Sequence, residues 1–150
     1  MSCRSGFVLA LLVAALGINS VAHGQTKLPT SGRTEVSAMA RNRVAKIAVT
    51  TAKNESTAGK ASWVVTDLEI SVNGQQLFVP RSVYADLDEP NTILVRSEGS
   101  QFVAMIRGLD GADSYETRVF FDATRVVRRA VYNIVPQPTE ETRYWNRVVN

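Results

Sequence analysis

The sequence predicts a mainly β chain: an antiparallel meander of seven or eight short strands forming a small barrel or sandwich, with or without one N-terminal helix. Two observations carry this expectation. From residue 62 onward, short apolar stretches recur between tight, turn-forming residues. At Asn73-Gly74, the strongest short hairpin signal, the turn and the alternation of the flanking residues agree independently. An α+β alternative, a curved sheet with one packed helix, stays open because residues 35–53 suit both periods.

The first 24 residues are expected to be a signal peptide. Arg4 makes a positive start, and FVLALLVAALGI is apolar but shorter than the ~20 residues that span a bilayer. Cleavage after Gly24 places small residues, Ala22 and Gly24, where a signal peptidase reads them. The only cysteine, Cys3, precedes the apolar run, so the pattern of a lipid anchor is not met. The only histidine, His23, leaves with the segment. A mature chain from Gln25 to Asn150 then holds neither residue type. That removes Ser-His-Asp and Cys-His nucleophiles, histidine as a general base, thiolate or imidazole metal sites, and disulfides. The expected address is periplasmic or secreted, with no stable membrane anchor after cleavage.

Residues 25–34, with Pro29 and Gly32, read as a flexible leader, and 35–150 as a single domain. In 35–53, Val36, Met39, Ala40, Val44 and Ile47 fit a helix, while Ile47, Val49 and Thr51 alternate. The reading favours a helical turn to about Arg43 and a strand over Val44–Lys53. The first clear hairpin pairs Val72 with Gln75, Ile70 with Leu77 and Leu68 with Val79, and places Val64, Leu68, Ile70, Val72, Leu77 and Val79 on one apolar face. Trp63 and Phe78 fall on the other side, as a second small core or an exposed patch. Ser82 can cap a helical turn that turns Val83, Tyr84 and Leu87 inward. A second hairpin around Glu98-Gly99 opposes Val95 to Phe102 and Leu94 to Val103; both its faces are apolar, as in a central, doubly covered pair. A third pair turns at Asp122-Ala123, and TRYWNRVV, with the aromatics Tyr144 and Trp145, ends the chain as a last short strand.

Two groups of residues stand out as candidate binding sites. The second hairpin returns to the edge where it starts, so the loops 85–91 and 108–114 meet. They carry Asp86, Asp88, Glu89, Asp110 and Asp113, carboxylates that suit a basic protein partner or Ca²⁺, although neither loop has the full spacing of a calcium loop. The plain reading is solvated loop side chains. The secondary group is Arg118, Arg125 and Arg128, with Arg129 opposite Glu116, able to meet a phosphate or another polyanion. Its plain reading is a charged outer face.

The chain carries +3 overall, one unit of it from Arg4, with the signs interspersed and no dense basic patch, so nucleic acid is not an expected partner. No catalytic residue, cofactor or metal is expected. The leading functional expectation is a non-enzymatic binding protein, most concretely an inhibitor or immunity-type protein against an envelope-acting toxin or hydrolase. The alternatives are a small carrier of an apolar ligand or lipid, and a hydrolase that uses Asp and Glu alone.

Overall fold

The computed structural model describes residues 24–55, 61–109, 111–133 and 136–145. Residues 1–23, which hold nearly all of the expected signal segment with Cys3 and His23, lie outside the described residues, as does Asp110.

The chain is mainly β, two antiparallel sheets of six and four strands, sandwich-like and not closed into a barrel. Strand β1 (Thr26–Lys27) belongs to the larger sheet, and β2 (Gly32–Ala40), β3 (Arg43–Glu55), β4 (Ala61–Val72) and β5 (Gln75–Gln76) make the smaller one. The chain then crosses back through a 3-10 turn at Arg81–Val83. It continues as β6 (Pro90–Glu98), β7 (Gln101–Gly108), β8 (Tyr115–Phe121), β9 (Val126–Tyr132) and β10 (Glu140–Arg143). The larger sheet runs β1-β6-β7-β8-β9-β10 and the smaller β2-β3-β4-β5. Each is thus a meander, with β1 added at one edge by pairing with β6. The segment read as a leader holds β1 and the start of β2, with Leu28 buried and its N–H donated to the Asn91 carbonyl at 2.8 Å.

Residues 35–40 form strand, not helix, and Arg43 already begins the next strand. Val36, Ala38 and Ala40 alternate toward the core, but two of the three are alanines, which give little apolar signal. Met39, which completes the helical template, is 59% exposed. The β2–β3 turn is Arg41-Asn42, with Arg41 at φ 55, so no glycine advertises it.

The Asn73-Gly74 hairpin has the expected register, and φ is positive at both turn residues (51 and 81), as a type I′ turn requires. Leu68, Ile70, Val72 and Leu77 are buried as expected. Val65 takes the place expected for Val64, because Thr50 faces Asp67 and Thr51 faces Val65, leaving Thr66 as the extra residue of a bulge. Strand β5 ends at Gln76, with the Leu77 N–H still on the Ile70 carbonyl, so the expected pairing of Leu68 with Val79 does not form. Phe78 is 76% exposed, and the half-buried Trp63 donates its indole N–H to the Pro90 carbonyl. The helical turn does bury Val83 and Leu87, but its N-cap is Pro80, not Ser82.

The second hairpin turns at Gly99-Ser100, with the positive φ of 61 at Gly99. Val95 therefore faces Ala104 and Leu94 faces Met105. The shift is by an even number of residues, so the faces are kept. Strand β7 is covered on both sides: Phe102, Ala104 and Ile106 enter the sandwich core, and Val103 and Met105 join a smaller cluster with Phe120 and Ala130.

The third hairpin departs furthest. Asp122 accepts hydrogen bonds from the Thr124 N–H and hydroxyl and the Arg125 N–H, which fixes a longer loop than two residues. Phe121 then faces Val126 and Phe120 faces Arg128, so Val127 is bulged out. Glu116 faces Tyr132 rather than Arg129, and Arg129, opposite Val119, turns into the core. The last strand lies a few residues earlier than expected, at Glu140–Arg143.

Candidate functional site

The two acidic loops do meet. The Leu109 N–H donates to the Glu89 carbonyl at 3.1 Å, and the Tyr115 hydroxyl donates to the Asp88 carbonyl at 2.8 Å. Burial first of all, with the Asp88 and Asp86 charges, raises the Tyr115 pKa far above its ordinary value, so the hydroxyl stays protonated as the donor. The segment before β6 is also tied to the smaller sheet: Val65 N–H to the Leu87 carbonyl, and Glu89 N–H to the Trp63 carbonyl.

The carboxylates are less available than the sequence suggests. Asp86 Oδ2 lies 2.7 Å from Nη2 of Arg129, whose side chain is 4% exposed, and Glu140 takes Nη1 at 3.0 Å. Asp86 therefore balances a buried cation. Asp88 accepts the Glu89 N–H, Glu89 itself is half-buried at φ 44, and Asp113 is exposed in a 3-10 turn at Gly111–Asp113. Among the described residues no three His, Cys, Asp or Glu side chains form a group that could hold a metal ion.

The arginines collect more coherently. On the outer face of the larger sheet, the register aligns Arg96, Val103, Phe120, Arg128 and Arg143 across five strands. The next row is Leu94, Met105, Arg118, Ala130 and Glu141, and the one after it holds Arg107, Glu116 and Tyr132. Guanidiniums roof the apolar strip: Arg128 lies 3.9 Å from the Phe120 ring centroid and Arg118 4.1 Å from that of Tyr132.

Carboxylates on this face are shared. Glu116 accepts from Arg107 and Arg118, each at 2.6 Å, and Glu141 from Arg128 at 2.9 Å and Arg143 at 3.0 Å. Burial alone would raise the Glu116 pKa, but the hydrogen bonds from Arg118 and Arg107 outweigh it and hold the carboxyl below its ordinary value. Glu141 is lowered by Arg128 and then Arg143. Two carboxylates thus serve four arginines, and Glu98 pairs with Arg96 at 3.5 Å, so the face keeps more guanidinium donors than carboxylates. At its β9–β10 margin a cleft of about 260 Å³ is lined by Arg125, Val127, Arg128, Arg143, Tyr144 and Trp145. Trp145 is 76% exposed, and no ion-pair partner contacts Arg125 among the described residues.

Of the arginines singled out in the sequence, Arg118 and Arg128 share this face and Arg125 stands at its margin, while Arg129 lies on the opposite side of the sheet. The sequence reading missed Arg96 and Arg143; Trp145, singled out there with Tyr144 among the aromatics, is exposed. Arg96 and Arg107 were within reach of that reading, because the parity of the second hairpin already sets them on one face; β10 needed the bulge at Val127 to be known. A comparison of the chain with protein-family models, curated proteins and solved structures found no match.

Proposed function

We propose that this is an exported, non-enzymatic binding protein of the inhibitor or immunity type, which recognises an acidic protein partner on the arginine-bearing face of its larger sheet. The observation that carries the reading is the contrast between the two outer faces. The smaller sheet turns Arg33, Glu35, Lys46, Asp67 and Glu69 outward, with Arg33 and Glu69 joined by paired hydrogen bonds, as an ordinary solvated face does. The larger sheet instead carries an apolar strip, aromatic rings under guanidiniums, and more arginine than carboxylate. Arg, Tyr and Trp are the residue types that dominate protein-binding energies. The sandwich interior is filled by Phe102, Phe121, Ile47, Ile70 and Ile106, each below 2% exposed, which favours surface recognition over carriage of an interior ligand.

Capture from envelope extract tests this with the wild-type chain and Arg118→Glu/Arg128→Glu, the fold of the variant being checked by circular dichroism. The reading expects a stoichiometric complex with the wild type that the variant loses. Equal recovery of the same partner by both chains contradicts it. N-terminal sequencing of the exported chain is expected to begin at Gln25; a membrane fraction that retains residues 1–24 contradicts the export step.

A further inference from the structure

We propose that β10 is the docking edge for an extended acidic peptide segment of a partner protein, which adds as a further strand, sets carboxylates on Arg125 and Arg143, and places an apolar side chain in the cleft beside Val127 and Trp145. The proposal rests on the reading of the arginine face as the binding surface and names the chemistry of what binds there.

Three observations point to a peptide. Strand β10 ends the order of the larger sheet, paired with β9 on one side and, among the described residues, with no strand on the other. Its ladder runs from the Thr139 N–H on the Val131 carbonyl to the Tyr144 N–H on the Val127 carbonyl, an edge roughly 20 Å long. Such an edge offers main-chain donors and acceptors that an added strand satisfies.

The charge and shape of the margin complement an acidic strand. The Arg143 side chain is 68% exposed and spends only its Nε on Glu141. Arg125 has no ion pair among the described residues, and the chain's own carboxylates, Glu116 and Glu141, already show how such guanidiniums are bridged. The cleft walls of Val127 and Trp145 add an apolar part. At about 260 Å³ it is smaller than the usual pocket for a whole small-molecule ligand and suits one anchoring side chain. A phosphate or sulfated polymer would use the guanidiniums but neither the strand edge nor the apolar wall. An anionic membrane would likewise meet the guanidiniums but form no ladder with the strand edge.

The probe is the capped hexapeptide Glu-Glu-Leu-Glu-Glu-Leu, titrated calorimetrically into the wild-type chain and followed by Trp145 emission in a Trp63→Phe background. The expected results are saturable binding, a blue shift of Trp145, and affinity weakened about tenfold or more by Arg125→Ser/Arg143→Ser. The same peptide N-methylated at every backbone amide is expected to lose comparable affinity, because it has no N–H left on either side to donate to the edge. Absence of binding up to roughly 1 mM overturns the proposal. So does undiminished binding of the methylated peptide, or dextran sulfate or anionic phosphatidylglycerol vesicles that bind more tightly with the same dependence on Arg125. If Arg118→Glu/Arg128→Glu loses the captured partner while the peptide fails, the face stands and the edge falls. If that variant keeps the partner, the face itself is wrong.

Discussion

Glu116 holds two arginines with one carboxylate, and its own side chain is only 12% exposed. Its native pKa lies below the ordinary Glu value, so its contribution to stability is fully present above roughly pH 4.3 and is lost as pH falls through the native value. Glu116→Gln is expected to cost about 1–3 kcal/mol at neutral pH. It should also flatten the loss of stability between pH 5 and 3, measured by urea unfolding across that range. Arg129 poses the opposite case, a cation buried against two half-exposed carboxylates with its Nε unpaired. Asp86→Asn with Glu140→Gln strands that charge and is expected to cost on the order of 3 kcal/mol, whereas Arg129→Met, which removes the charge, is expected to cost less. Equal unfolding free energies for the two variants would contradict this role. Asp86 therefore cannot be treated as a dispensable loop side chain, which is how its position in the sequence reads.

Between elements, Gly108 shows how closely the acidic loops are fixed. A Cβ at this position would run into the Tyr115 ring, whose hydroxyl pins Asp88. Gly108→Ala is expected to destabilise the fold by about 1–3 kcal/mol through this overlap. Adding Tyr115→Ala should cost less in that background than in the wild type, a non-additivity that thermal melts of the single and double variants can read. The same hairpins show what could be read in advance. The Asn73-Gly74 turn was legible because its turn type demands those residues and the flanking alternation agreed. The second hairpin was legible by face but not by register, since Gly99 fits either of two adjacent loops. Strand β2 was not legible, because Ala38 and Ala40 hide the alternation and Arg41-Asn42 hides the turn. At Thr66 and Val127, bulges reverse which residues point inward, and nothing local in the sequence marks them. The second bulge matters for the site, because it sends Arg129 into the core and leaves Arg128 on the face with Arg118.

As a whole, the molecule is two meanders packed face to face with unlike outer surfaces. One is polar and balanced; the other is apolar beneath a lattice of arginines that outnumber their carboxylates. Packing of the core accounts for the inner faces of both sheets but not for this asymmetry. Among the described residues no helix is long and apolar enough to cross a membrane. The asymmetry is what a partner would read, and hydrogen–deuterium exchange of the chain, free and in complex with its captured partner, locates that partner by backbone protection. The expected result is new protection in β8, β9 and β10, with the strands of the smaller sheet unchanged. Protection confined to the smaller sheet, or to the loops 85–91 and 108–114, would contradict it.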